Sequence, residues 1–151
     1  MVINFAALEE TMAGYLGYLL HDYAQSTAEI KSDPSWERKL RADKLPSQFS
    51  FDEKRNLFKQ FTHVLSVTDS KEKQALLAIL GSMKVLAEDR SNIIHGWLDW
   101  EGDGPVFVRK GVTSPATKTQ INDVDERIRD VNGTFPRALM DFLMSGTVRN
   151  A

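Results

Sequence analysis

SKEKQALLAILGSMKVLAEDRSNIIHG, residues 70–96, is the stretch of the chain that decides its fold. Apolar residues recur in it at spacings of four and three, which predicts a long amphipathic helix from about Ser70 to His95. Arg90 lies in this stripe, and its guanidinium is always charged. Because an unpaired buried charge is costly, we expect Arg90 to meet a carboxylate inside the fold or to open into a polar cleft or subunit seam. The stripe consists of Leu76, Leu80, Met83, Ala87, Arg90 and Ile94.

Three further helices are predicted from the same periodicity. Ser50 and Glu53 form a capping box, which predicts a helix that begins there and extends to about Val67. The apolar stripe of the last helix keeps its phase through Pro136, which favours one kinked helix over two. The first helix, predicted to run to about Gln25, carries Phe5, Leu8, Met12, Tyr15 and Leu19. The stripe of the last helix consists of Ile121, Val124, Ile128, Val131, Phe135, Leu139 and Phe142.

The helical pattern stops at Gly96. Residues 97–108, WLDWEGDGPVFV, place a Gly- and Pro-rich turn between two apolar segments, which indicates a short β-hairpin. The expected fold class is therefore all-α: an up-and-down helical bundle of four to five helices with a short β-hairpin insertion around residues 97–108.

The composition fits one globular domain, residues 1–151. The chain has 19 Lys+Arg, 21 Asp+Glu and no Cys, and its formal net charge is -2. The absence of cysteine excludes thiol catalysis, Cys-based zinc sites and a disulfide framework. Uncharged stretches such as Thr11–Leu20 fall short of the roughly 20 residues of a membrane span, so we expect a cytoplasmic protein without a leader or membrane contact.

The last two turns of the long helix carry the candidate catalytic residues. Arg90 and His95 are five residues apart, which is about 140° around an ideal helix, and Asn92 lies one turn before His95. Gly96 is suited to end the helix, and unwinding of the last turn would let the imidazole swing toward the guanidinium. Since imidazoles titrate near neutral pH, His95 is a candidate general acid or base.

Residues 88–97, EDRSNIIHGW, resemble the Arg-x4-6-His signature of HEPN domains. The resemblance implies a HEPN-like helical bundle and a metal-independent endoribonuclease that needs no cofactor. In such an enzyme His95 would move protons at the ribose 2′-hydroxyl or the leaving oxygen, Arg90 would hold the scissile phosphate, and Asn92 would complete the catalytic set. The resemblance also implies a homodimer that brings two motifs together, a role in a toxin-antitoxin or phage-defence system, and an antitoxin-type protein partner.

A non-catalytic HEPN-like module remains the alternative. Such a domain would bind RNA, a nucleotide or a protein partner and act as a regulator. Arg90 would then be an ion-pair residue inside the bundle, and His95 would cap the helix C-terminus. A helical interaction protein unrelated to HEPN domains is the third hypothesis.

A second set of candidate residues could contact RNA. The short segment from Trp36 to Lys44 is basic, and it is expected either to contact phosphates or to form a solvated helix face. Ser91 directly follows Arg90 and is expected to supply a polar contact. The candidate RNA-binding residues are Arg38, Lys39, Arg41, Lys44 and Ser91. No metal is expected, because His21, His63 and His95 come from separate segments without metal-ligand spacing.

Overall fold

A computed structural model describes residues 2–40, 45–102 and 104–148 of the chain. These residues form six α-helices, a short 3-10 turn at Pro46–Gln48 and three β-strands. The helices are α1 (Val2–Asp22), α2 (Ala24–Lys31), α3 (Pro34–Glu37), α4 (Phe51–Leu65), α5 (Lys71–His95) and α6 (Lys118–Leu143). The strands are β1 (Trp97–Glu101), β2 (Gly104–Arg109) and β3 (Val112–Pro115). The prediction of a mainly helical chain with a small β insertion is confirmed.

The predicted start of α4 is confirmed. The Ser50 backbone N–H donates to Glu53 Oε2 at 2.8 Å, and the Glu53 backbone N–H donates to Ser50 Oγ at 3.1 Å, which completes the capping box. The first helix ends at Asp22, earlier than predicted, and α2 begins after a break at Tyr23. The last stripe forms one helix through Pro136, as predicted.

The β insertion is larger than the predicted hairpin. Strands β1 and β2 pair antiparallel over the predicted residues, and β3 adds a third antiparallel strand on the other side of β2. Lys110 and Gly111 form the β2–β3 turn, with φ values of 51° and 74°. Because β3 is short and mostly exposed, its residues carry no alternating apolar pattern that would have indicated a strand.

Helices α1, α4 and α6 run in the same direction. Asn4, near the start of α1, donates from Nδ2 to Asp125 Oδ1 near the start of α6 at 3.0 Å. Further along α1, Tyr15 makes an edge contact with Phe135 of α6, with ring centroids 6.4 Å apart. Phe58 of α4 packs on the same Phe135 ring at 5.0 Å. The three helices therefore share both an orientation and a core.

Helix α5 runs in the opposite direction. Phe51, the first residue of α4, packs on Phe5 with ring centroids 4.8 Å apart, so α4 and α1 begin side by side. Asp89, near the end of α5, accepts a hydrogen bond from Arg127 near the start of α6. Helices α4, α5 and α6 thus alternate as predicted, whereas α1 and α4 are parallel because α2 and α3 return the chain between them.

Apolar side chains from all four long helices form the core. The predicted stripe of α6 is buried from Val124 to Phe142, and Trp36 and Leu40 anchor the connection between α2 and α4. Burial of these side chains stabilises the fold through the area they remove from water. Among the described residues, no helix combines the length and the apolar character that crossing a bilayer requires.

Candidate functional site

Arg90 stacks on an aromatic ring at the end of the bundle. Its guanidinium carbon lies 4.5 Å from the centroid of the Phe5 ring, which gives a cation-π contact. The Arg90 Nε is buried and has no hydrogen-bond partner among the described residues. The apolar stripe of α5 is fully buried at Leu80 and Met83 but only half-buried at Arg90, so the stripe leaves the core where the charge is placed.

The carboxylate next to Arg90 in sequence is paired with another residue. Asp89 Oδ2 accepts a hydrogen bond from Arg127 Nη2 at 2.8 Å, and Arg127 Nε also donates to Asp123 at 3.0 Å. The hydrogen bond that Arg127 donates to Asp89 raises the pKa of Arg127 above its ordinary value. Within the described part of the chain, Arg90 makes no ion pair, so the expected interior ion pair is not observed.

Helix α5 is regular through His95. Its C-cap is Gly96, whose N–H donates to the Asn92 carbonyl oxygen at 3.1 Å. The unwinding that would have turned His95 toward Arg90 does not occur, and the two side chains project about 140° apart around α5. His95 is exposed and Asn92 is half-buried. The fold places the three predicted catalytic residues in the same two turns, with Asn92 and His95 on one face of α5 and Arg90 on another.

Gly96 is required where the sheet meets the end of α5. A Cβ atom at this position would collide with the Asn92 carbonyl oxygen, and it would lie 3.2 Å from the Val108 oxygen and 3.3 Å from the Phe107 Cβ. Backbone and side-chain atoms of β2 therefore lie directly against the end of α5. The sheet that the sequence left without a role is therefore fixed beside the motif.

Ser91 opens onto a cleft of about 430 Å³ between the start of α4, the end of α5 and the β2–β3 turn. Lys84, Arg109 and Lys110 also line this cleft, which we call the basic cleft. Sequence reasoning missed its three cations. The signal that could have found two of them is the Arg-Lys-Gly run at residues 109–111, where a turn residue follows two cations.

The predicted basic segment is partly engaged in structural contacts. Lys39 Nζ lies 3.6 Å from Glu53 Oε1 and 5.2 Å from the centroid of the Trp36 ring, whereas Arg38 is exposed. Residues 38–40 form a turn after α3, so the predicted helix face does not extend over them. The candidates Arg41 and Lys44 lie outside the described residues.

Comparison of the chain with models of protein families, with curated proteins and with solved structures found no match. The chemistry of the site follows from its residues. One end of the bundle presents a guanidinium without a counter-charge among the described residues, an exposed imidazole, and a cleft with three cations. In the described ranges, no three His, Asp or Glu side chains group as metal ligands. This end of the bundle is suited to bind an anion and to transfer a proton.

Proposed function

We propose that the chain is a metal-independent endoribonuclease of the HEPN type. The observation that supports it is the state of Arg90, a half-buried cation that is stacked on Phe5 and lacks a carboxylate among the described residues. Keeping such a charge partly desolvated is unfavourable unless an anion neutralises it. The planar guanidinium can form two parallel hydrogen bonds to a phosphodiester, so RNA is a ligand that matches it.

The proposed reaction is attack of the ribose 2′-oxygen on the adjacent phosphorus. An imidazole takes the 2′-hydroxyl proton while the bond from phosphorus to the 5′-oxygen breaks, and the leaving oxygen receives a proton from a protonated imidazole. The products are a 2′,3′-cyclic phosphate and a 5′-hydroxyl. Arg90 stabilises the charge that develops on the phosphate oxygens, and Asn92 hydrogen-bonds to the substrate.

A composite site in a homodimer satisfies this geometry. Within one chain Arg90 and His95 occupy helix positions about 140° apart on an ideal helix, so two motifs bring both groups to one phosphate more readily than one motif does. Around a twofold axis at the end of α5, residues meet their own copies, and Arg90 of one chain can serve with His95 of the other. The two imidazoles then act as base and acid. A cytoplasmic toxin-antitoxin or phage-defence role, with an antitoxin-type partner, belongs to the same proposal.

RNA cleavage in the presence of EDTA tests the proposal. We expect the wild-type chain to cleave mixed RNA in the chelator and to leave cyclic phosphate ends. His95→Ala should lower the rate by about 10²- to 10⁴-fold, because it removes the proton-transfer group. His63→Ala is the matched control, since His63 is also an exposed histidine in the last turn of a helix. Cleavage that requires magnesium, or that survives His95→Ala, would contradict the proposal.

Mixing inactive variants tests the composite site. Arg90→Ala and His95→Ala chains should restore part of the activity when they are combined, because a mixed dimer keeps one Arg90 and one His95 at the shared site, whereas each variant dimer lacks one of the two groups entirely. Light scattering should show a dimer at tens of micromolar protein. A fully active monomer would refute the composite site, and each chain would then have to work alone.

A non-catalytic module for RNA, a nucleotide or a protein partner is the second candidate. The stacking of Arg90 on Phe5 favours it, because that contact also fits a structural arginine that holds α5 against α1. In this case the wild-type chain would bind RNA or another partner without cleaving RNA. Arg90→Ala would mainly lower the thermal midpoint, and His95→Ala would change neither property.

A further inference from the structure

The basic cleft lies beside the motif but is lined by residues that the proposed chemistry does not use. Lys84 and Ser91 come from α5, whereas Arg109 ends β2 and Lys110 lies in the β2–β3 turn. Phe51, at the start of α4, also lines the cleft, and its ring packs on Phe5. The guanidinium of Arg90 stacks on the same Phe5 ring. The cleft and the motif therefore share one layer of side chains.

The cations of the cleft have no ion-pair partner among the described residues. Lys84, Arg109 and Lys110 make no ion pair within the described part of the chain. Two carboxylates face the cleft, but Asp52 is already bound by Arg55 at 2.8 Å. Glu88 is the remaining carboxylate, so three cations face one free negative charge. This balance favours an anionic ligand with more than one charge.

Lys110 occupies a backbone conformation that disfavours its side chain. Its φ of 51° and that of Gly111, 74°, are the pair of positive values found in two-residue hairpin turns, where Asn-Gly is the preferred sequence. No other described non-glycine residue has a positive φ. The presence of lysine at this strained position is explained if its ammonium group is needed in the cleft, since backbone strain of this kind often accompanies function.

We propose that the basic cleft binds the phosphate backbone of single-stranded RNA next to the scissile phosphate. The three-stranded sheet then serves to hold Arg109 and Lys110 against the end of α5, and the contact of β2 with Gly96 fixes its position. The cleft positions the strand through phosphate contacts and carries no sequence preference. This inference rests on the proposed function for the identity of the ligand, RNA, but it does not require that the RNA be cleaved.

Binding of an uncleavable RNA tests the cleft separately from catalysis. The probe is a fluorescein-labelled 12-nucleotide RNA of mixed sequence with 2′-O-methyl riboses, and its anisotropy is followed from 50 to 200 mM NaCl. Arg109→Gln with Lys110→Gln should weaken binding by about tenfold at the lower salt and reduce the salt slope by about 1.4, since each lost phosphate contact on a single strand contributes about 0.7.

The matched control is Lys71→Gln with Arg137→Gln. These two cations line a different cleft, between the start of α5 and the end of α6, and their replacement removes the same charge at the opposite end of α5. This control should retain wild-type affinity and salt slope. If both double variants lose the same RNA affinity, the effect is one of net charge and the proposal is overturned. An absence of RNA binding by the wild-type chain at 50 mM NaCl would also overturn it.

Two single substitutions distinguish a specific effect on RNA binding from a general loss of stability. Glu88→Gln should tighten RNA binding, because it removes the free carboxylate from the cleft. Lys110→Asn should raise the thermal midpoint, because asparagine suits the turn, while it weakens binding. If Lys110→Asn leaves binding unchanged, the ammonium group has no role in the cleft. If RNA binding follows these expectations but neither the wild-type chain nor any variant cleaves RNA, the proposal for the cleft is supported and the nuclease proposal fails.

Discussion

Arg127 Nη2 lies 2.8 Å from Asp89 Oδ2, and this contact decides which arginine the carboxylate next to the motif neutralises. Asp89 and Arg90 are adjacent in sequence, yet the carboxylate turns to α6 and the guanidinium turns to Phe5 of α1. Arg127 thereby leaves Arg90 available to an external anion. The partner of Asp89 is thus Arg127, a residue outside the motif.

The first prediction concerns Arg127→Gln. Both side chains of the pair are about one-third exposed, so the loss of stability should stay below about 1 kcal/mol. RNA binding and cleavage should fall, because Asp89 becomes free to compete for Arg90. Arg129→Gln is the control, since Arg129 forms an ion pair with Asp125 on the same helix at 2.8 Å. Equal RNA binding by the two variants would contradict the role assigned to Arg127.

The second prediction concerns Arg90→Lys. A lysine keeps the charge but lacks the planar fork and stacks less well on Phe5. We expect the free energy of unfolding to fall by about 0.5–1 kcal/mol, as for a lost cation-π contact, and the cleavage rate to fall by about 10²-fold or more. Chemical denaturation and single-turnover kinetics measure the two quantities. Retention of the full rate would show that Arg90 acts as a simple positive charge.

The third prediction compares two glycines, one at the C-cap of α5 and one in its middle. Gly96→Ala should destabilise the fold by about 1–3 kcal/mol, because the new methyl group collides with the Asn92 carbonyl and presses on β2. Gly81→Ala, in the middle of α5, has no atom within 4 Å of the added carbon and should stabilise the helix by up to about 1 kcal/mol. Thermal denaturation should move in opposite directions for the two variants.

The fourth prediction concerns a buried lysine. The Lys54 side chain is 5% exposed, and its Nζ lies 3.6 Å from Glu9 Oε1. Glu9→Gln removes the counter-charge and should lower the free energy of unfolding by about 1 kcal/mol, while Glu10→Gln, at an exposed neighbour on the same helix, should have no effect. A similar change in both variants would show that the pair contributes nothing specific.

The helices could be predicted because burial leaves a periodic record in the sequence. The stripe from Val124 to Phe142 and the capping box at Ser50 both indicated local structure that the fold keeps. The break at Tyr23 was missed, because polar residues around it carry no turn signal. The third strand was missed since an exposed edge strand needs no apolar alternation.

For the candidate site, the sequence indicated an unusual position for Arg90 but not its contacts. The position of Arg90 in an apolar stripe indicated an unusual environment, and a cleft or seam was one of the two expected outcomes. Its contact with Phe5 and the pairing of Asp89 with Arg127 join distant segments, which no local pattern records. The same holds for the basic cleft, where the β2–β3 turn reaches the side of α5.

The shared direction of three helices has an electrostatic consequence. Helices α1, α4 and α6, with 21, 15 and 26 residues, all begin at the end of the bundle where α5 stops. Each helix carries a macrodipole with about half a positive charge at its start, while α5 contributes about half a negative charge there. The backbone alone therefore gives this end an excess of about one positive charge. In a chain with a net charge of -2, the helix termini at this end therefore favour an anion near Arg90.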